Sequence, residues 1–494
     1  MAILDTTVVI VAQQTFITEF SSTQAVVAWT MAGYTLSLAM VIPLTGWAAD
    51  RFGTKRLFLS SLLFFSVGSL LCAMAFNINL LLISRMIQGL GAGMLVPLPV
   101  MILTREAGPN RLGRLMAITG IPMMFGPIAG PILGGWLIDS LSWRWIFLIN
   151  LPIGFLALVL AAIIFPKDEV SPVEPFDVIG MLLISPGLGT FLYGMSSITG
   201  RRAAADPHVY IPASIGLLLI VAFVFHALYR ARHPLIDLRL FRNGVVTLAN
   251  VTMFLFAIAF FGVELLFPGY FQELLGQTRT QSGVHLIPLA LGAMPSMPVA
   301  GRYIDKRGPG KVALVGIVLV AAGMGAFAYG VSQHIAYTPV LLLALVVMGM
   351  GMGCTLTPVS ASAMRALKPA EVARGSTLLH VNRQVAGSIG TALMSVILTD
   401  QLNRSVVVPA AGHAAIQMHL TTGSALPPDL SNLSQQITPS NLMEHITHDL
   451  SHAYAVVFVV AVGLVVFAIT PAWFLSKNSA ETSPTTSTTP ALEH

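Results

Sequence analysis

The stretch GWAADRFGTKR, residues 46–56, places Asp50, Arg51, Lys55 and Arg56 within eleven residues, while the sequence on either side is almost free of charge. A turn between two membrane-crossing helices explains the contrast. A charged side chain at the centre of a bilayer costs roughly 3 kcal/mol, so charge collects in the connecting loops. Gly53 suits the tight turn. The same arrangement returns in GRYIDKRGPGK, residues 301–311. Gly46, Asp50, Arg51 and Gly53 correspond to Gly301, Asp305, Lys306 and Gly308, each 255 residues on. A second pair, QGLGAGMLVP (88–97) and MGMGMGCTLTP (348–358), aligns Gly89, Gly91 and Gly93 with Gly349, Gly351 and Gly353 at an offset of 260. Two matches at nearly one offset indicate an internal duplication.

The rest of the 494 residues agrees. Charged residues make up 10%, against about 25% in soluble proteins, and 55% are hydrophobic. Apolar runs of membrane-spanning length recur throughout. Fourteen spans are expected, near 2–20, 27–49, 57–77, 80–103, 115–137, 144–165, 177–198, 209–230, 244–269, 282–303, 312–332, 338–361, 375–400 and 453–475. With the N-terminus in the cytoplasm, nineteen of the 26 Lys and Arg fall inside, five fall outside, and Arg85 and Arg383 lie within spans. That asymmetry is the positive-inside pattern. It also explains the net charge of +5 without a nucleic-acid partner. Cys72 and Cys354 lie in apolar runs and suggest neither disulfide nor metal site. No GxxxxGK[ST] stretch marks an ATPase, and no cofactor is expected.

The fold class is therefore an all-α polytopic membrane protein of two pseudo-symmetric six-helix bundles plus two inserted spans. Both hinges lie inside, so the repeats are parallel, as in many transporters. The expected organisation is residues 1–165 for the first bundle, 166–241 for the insert and 242–475 for the second bundle. A long outer loop covers 401–452, with a short helix near 441–449, and a Ser/Thr/Pro-rich disordered tail covers 476–494.

The chain resembles the major facilitator superfamily, and within it the fourteen-span drug:proton antiporter branch (EmrB/QacA type). The resemblance covers nearly the whole chain. It rests on GWAADRFGTKR, RMIQGLGAG, GPIAGPILGGWL, WRWIFLINLPIG and NRQVAGSIGTAL. It implies that Gly126, Pro127, Gly130, Pro131, Gly134 and Gly135 form the antiporter motif of span 5, associated with export; the glycine often found nine residues before Gly126 is Ala117 here. Glycines at i, i+4 and i+8 also clear one helix face for a close neighbour. The resemblance implies a role in proton transfer for Arg85, with Gln88 one turn on sharing its network. It relates Asp5, in ILDTTVVIVA, to a first-span acid linked to coupling, although Ile10, Gln13 and Gln14 depart from the pattern. It also implies a longer first span, so the start before Asp5 is expected to be truncated or misassigned.

Glu264 is the other acid within a span, placed in the outer part of the membrane as either a proton or cationic-substrate site or an interfacial acid reaching water. Asn382 and Arg383 form a polar group in span 13, read as structural or gating; His285 and His380 are more often structural. The hinge residues Gly46, Asp50, Arg51, Gly53, Lys55, Arg56, Gly301, Asp305, Lys306 and Gly308 are expected to gate the inner side, through ion pairs or contacts with helix N-termini. The expected function is proton-driven efflux of lipophilic or amphipathic small molecules by alternating access, from a bacterial cytoplasmic (inner) membrane with both termini inside. The partners are the lipid bilayer, protons and a small-molecule substrate, with room for a periplasmic adaptor protein on the outer loop. A dedicated exporter of one metabolite, lipid or siderophore shares these features. A transport-dead sensor fits less well, since the gating residues are all present.

Overall fold

Lipid offers no hydrogen bonds, so a chain this apolar must satisfy its backbone internally, and helices do so. The computed structural model describes residues 1–107, 111–166, 168, 175–201, 206–264, 266–333, 335, 337–404 and 439–481, with no strand among them. In order these form α1 (Ala2–Glu19), α2 (Gln24–Phe52), α3 (Thr54–Ala73), α4 (Ile78–Leu95), α5 (Leu98–Ala107), α6 (Leu112–Ser140), α7 (Trp145–Leu148), α8 (Asn150–Ile164), α9 (Val178–Arg201) and α10 (Pro207–Phe225). Then follow α11 (Gly244–Glu264), α12 (Phe267–Gly269), α13 (Arg279–His285), α14 (Ile287–Arg307), α15 (Pro309–Ser332), α16 (Leu342–Gly353), α17 (Leu356–Arg365), α18 (Val372–Arg404) and α19 (Pro439–Glu481).

Among the described residues, twelve helical stretches are long and apolar enough to cross a membrane. Two more helices, α1 and α6, stand where the first and fifth spans were expected, outside those twelve. The short helix expected near 441–449 is the beginning of α19, which runs unbroken from Pro439 to Glu481. Most of the outer loop, 405–438, and the tail, 482–494, lie outside the described residues.

The duplication is visible in the packing. Cβ atoms added at Gly89 and Gly93 would overlap the backbone of α2, and one at Gly91 would sit 2.5 Å from the Phe65 nitrogen of α3. Their counterparts Gly349 and Gly353 face α14, and Gly351 faces α15, with 2.5 Å to the Val320 nitrogen. The glycine ladder thus seats the fourth helix of each repeat on the second and third. The first-half helices pack together, as do α11 to α19, and the halves meet along α2–α18 and α6–α14. The pair α9–α10 joins this seam through α9, which touches both α2 and α18.

The charged hinges are built alike. Gly53 has φ +87° and Gly308 φ +85°, values that glycine adopts without strain. At Gly53 a Cβ would also overlap the Asp168 carboxyl. That carboxylate accepts from the backbone N–H of Lys55 at 2.8 Å and of Arg56 at 3.1 Å. It thereby caps the N-terminus of α3, where the helix dipole favours negative charge. Lys55 Nζ donates to the carbonyls of Ala162 (2.7 Å) and Phe165 (2.8 Å) at the end of α8. Lys55 is thus engaged in fastening α8 to the hinge.

Candidate functional site

Asp5 lies in the first turns of α1 and is 1% exposed; Arg85, seven residues beyond the start of α4, is fully buried. A buried charge persists only with compensating partners, and here the two compensate each other. Arg85 Nη1 donates to Asp5 Oδ2. Gln88, one turn along α4, links both: its Oε1 accepts from Arg85 at 2.7 Å and its Nε2 donates to Asp5 Oδ1 at 2.9 Å. Asn150, at the start of α8, donates to the same Oδ1 at 3.0 Å and to Ser69 Oγ of α3 at 3.1 Å. Arg85 Nε donates to the Thr30 carbonyl of α2 at 3.1 Å, and its guanidinium lies 4.2 Å from the Tyr34 ring centroid. Five helices therefore contribute to one cluster. Arg85 Nη2 and Asn150 Oδ1 are buried there without a hydrogen-bond partner among the described residues. Sequence reading expected Arg85, Gln88 and Asp5 in the membrane but did not connect Asp5 to the other two. It passed over Asn150, although WRWIFLINLPIG contains it as a polar residue in an apolar run. At the 260-residue offset Arg85 corresponds to Leu345, a fully buried apolar residue of the second half.

The glycines of α6 face this cluster's first helix. Cβ atoms at Gly126 and Gly134 would approach Ile3 Cγ2 to 2.7 Å and Val8 Cγ1 to 3.0 Å, and one at Gly130 would overlap Thr7 Oγ1. Thr7 Oγ1 also donates to the Gly126 carbonyl at 3.0 Å. The i, i+4, i+8 spacing thus forms the bed on which α1 and Asp5 lie. Gly135 points away from that contact, with nothing within 4 Å of an added Cβ. Pro127 and Pro131 stand within the same continuous helix.

The two hinge carboxylates hold matched ion pairs. Asp50 binds Arg105 of α5 at 2.6 Å, and Asp305 binds Arg365 of α17 at 2.7 Å. Arg105 and Arg365 are themselves 260 residues apart, the glycine offset, a signal that would have singled them out. Asp305 also accepts from the backbone N–H of Arg114, at the start of α6, at 3.1 Å; a helix N-terminus suits a carboxylate. This contact crosses the seam. On the other side of the pseudo-symmetry, an added Cβ at Gly46 would lie 2.9 Å from Thr377 Oγ1 of α18, and Ser376 of α18 donates to the Pro97 carbonyl at 3.1 Å. Gly301 sits buried in α14, Arg51 is half-buried, and Arg56 and Lys306 are exposed.

Side chains in these pairs are 17% to 24% exposed, so each pair contributes about 1 kcal/mol. Asp305→Asn is expected to shift the balance between closed and open seam by roughly fivefold. A single cysteine at Met297, which faces Gly120 across the seam, would then react several-fold faster with an impermeant maleimide in everted vesicles. An unchanged rate would show that Asp305 does not hold the seam.

Glu264 and Arg383 do not join the first-half cluster. Glu264 ends α11, half-buried, and Arg383 of α18 is close enough to interact with it electrostatically. The Arg383 guanidinium lies 4.8 Å from the Phe261 ring centroid, one turn before Glu264. Asn382 instead donates to the Asn250 carbonyl at 2.8 Å. His380 Nδ1 lies 2.8 Å from the Ser376 carbonyl and His285 Nδ1 2.8 Å from the Gln281 carbonyl, both ordinary intrahelical contacts.

With this geometry in place, comparison with known proteins is decisive. A family model described as Major Facilitator Superfamily matches residues 1–391. The chain belongs to the Major Facilitator Superfamily. This major facilitator is 57% identical over 480 residues to a "Multidrug resistance protein B homolog" of Mycobacterium tuberculosis, covering 97% of this chain and 88% of the relative. It is 28% identical over 484 residues to the "Multidrug export protein EmrB" of Escherichia coli, covering 95% and 93%. Among solved structures, the proton:xylose symporter XylE aligns with TM-score 0.55 at 16% identity, covering 93% of this chain and 92% of XylE. The human organic anion transporter MFSD10 aligns with TM-score 0.59 at 14% identity, covering 94% and 96%. At such identities the structures speak for the fold alone. As a major facilitator, the protein is a multi-pass membrane transporter and not an enzyme.

Proposed function

We propose that this major facilitator is a proton-driven antiporter that exports lipophilic or amphipathic small molecules across a bacterial cytoplasmic membrane. In this reading α1 and α6 also cross the bilayer, giving fourteen spans with both termini in the cytoplasm, and an adaptor protein docks on the outer loop. The observation that carries it is the buried Asp5–Arg85–Gln88 cluster, whose acid is carried by a helix lying on the glycine face of α6. A drug-exporter cargo is supported by the 57% identical relative and by EmrB.

The chemistry follows from the contacts. Protonation of Asp5 replaces an ion pair with Arg85 by a weaker bond from the guanidinium cation to a neutral carboxyl. Arg85 then keeps the Thr30 carbonyl, Gln88 and the Tyr34 ring as partners. Because α1 rests on backbone rather than on bulky side chains, it can shift along α6 as Asp5 and Arg85 separate. The hinge pairs Asp50–Arg105 and Asp305–Arg365 brace the inner side when it is closed. Glu264 and Arg383 provide a second charge pair in the other bundle for coupling or for a cationic substrate. The driving force suffices: at about 2.3 kcal/mol per 100 mV and ~1.4 kcal/mol per pH unit, one proton falling through about 150 mV and half a unit supplies roughly 4 kcal/mol.

Everted vesicles acidified inside test this. Lipophilic cations are expected to collapse part of the pH gradient, reported by a quenched amine dye, only where the protein is present. A broad panel of such cations that leaves the gradient untouched, in vesicles shown to contain folded protein, refutes the reading.

A further inference from the structure

The segment joining α10 to α11 has two unlike faces. Its inner face buries Leu235, Ile236 and Leu240 in a core shared with Ile42 of α2, Phe223 of α10 and Leu378 of α18. Asp237 receives the backbone N–H of Arg239 at 3.0 Å, starting a short 3-10 turn, and stands 4.0 Å from Arg374 of α18. Asn243 donates to the Ala366 carbonyl, just past α17, at 3.0 Å. The segment is therefore seated in the seam between the halves, at the end that carries the charged hinges.

The outer face is basic and aromatic. Arg230, Arg232, Arg239 and Arg242 are exposed, and so are Phe225, Tyr229 and Phe241 at 61%, 78% and 38%. Arg239 folds back to donate to the carbonyls of Ala231 (2.8 Å) and Arg232 (3.5 Å), which fixes the turn beneath the other arginines. The neighbouring carboxylates are engaged elsewhere: Asp237 with Arg374, and Asp177 with His226 at 2.8 Å. Phe225 and Tyr229 continue the exposed apolar side of α10, which includes Ile211, Ile215 and Leu218. Arginines meeting aromatic rings at the end of such a surface lie at headgroup depth, where several clustered basic residues attract acidic lipid.

We propose that the outer face of residues 225–242 binds anionic phospholipid headgroups, and that the bound lipid keeps Leu235, Ile236 and Leu240 seated in the seam, favouring the closed gate. The phosphate pairs with Arg230, Arg232 and Arg242, while Tyr229 and Phe241 lie against the acyl chains. The charge makes the site selective for phosphatidylglycerol or cardiolipin over phosphatidylcholine. The rings make it selective for a lipid over a free phosphate. This inference does not rest on the cargo or on proton coupling.

Native mass spectrometry of the purified full chain, released from detergent with equal amounts of phosphatidylglycerol and phosphatidylcholine, tests the site. Wild type is expected to retain phosphatidylglycerol in several-fold excess. The excess should fall to parity in R230Q/R232Q/R242Q, persist in R230K/R232K/R242K and survive added glycerol phosphate. It should also shrink in wild type as ionic strength rises, a measurement independent of whether the glutamine variant folds. No excess in wild type, an undiminished excess in the folded glutamine variant, or displacement by glycerol phosphate overturns the site. For the gate, maleimide labelling of M297C in phosphatidylcholine vesicles should slow several-fold when phosphatidylglycerol is added, but not in the glutamine background. Equal labelling in both lipids overturns the link to the gate.

Discussion

Asp5→Asn is expected to abolish proton-coupled exchange and to lower thermal stability, while Asp5→Asn combined with Arg85→Gln recovers stability without recovering exchange. The reason lies in the contacts. Asp5 Oδ1 takes donors from Gln88 and Asn150, and Oδ2 takes Arg85. Neutralising Asp5 leaves the Arg85 charge fully buried, with only neutral groups around it. Breaking a buried pair from one side costs about 3–5 kcal/mol, whereas replacing both partners by neutral groups is often close to harmless. Exchange follows a different rule, because only the carboxyl can carry the proton. Melting curves in detergent and dye-reported exchange in everted vesicles separate the two effects. Normal exchange by the single Asp5→Asn variant would move the coupling site elsewhere, with Glu264 the next carboxyl to neutralise.

The second large effect is expected at a residue with no chemistry at all. Gly130→Ala places a methyl group where Thr7 Oγ1 now sits. Overpacking of this kind costs about 1–3 kcal/mol and pushes away the helix that carries Asp5. A loss of exchange on the order of tenfold is expected, with a lower melting temperature. Thr7→Gly in the same chain removes both the hydroxyl and the Cβ, which lies 2.6 Å from the added methyl, and should restore part of both. Gly135→Ala is the control within the motif, since its Cβ meets nothing within 4 Å; it should behave as wild type. Equal losses at Gly130 and Gly135 would mean that the motif acts through helix flexibility and not through the α1 contact.

Much of the architecture was legible because membrane chains advertise their loops. The matching hinges at Asp50 and Asp305 announced the duplication, and the glycine triplets at a nearly equal offset supported it. The spacing of Gly126, Gly130 and Gly134 announced a close neighbour but not which one, since periodicity names a face and never its partner. The Asp5–Arg85 pairing was hidden for the same reason: eighty residues separate the two in sequence, and only the fold brings the side chains of α1 and α4 within hydrogen-bond reach. Asn150 was invisible because a single asparagine in an apolar run has many possible meanings. Arg105 and Arg365 were hidden among the inside charges, where topology alone accounted for them. The partners of Lys55 were likewise not legible: its Nζ donates to the carbonyls of Ala162 and Phe165 at the end of α8.

Arg85 and Leu345 occupy equivalent places in the two repeats, yet one is a buried ion and the other a hydrocarbon. Under the proposed mechanism, the doubling kept a hinge ion pair in each repeat but an arginine at this place in one repeat alone. A design of that kind would be lopsided, with the second bundle following a stroke that begins in the first. Grafting an arginine at position 345 without a matching acid would burden the follower with an orphan charge, and would not give the machine a second engine.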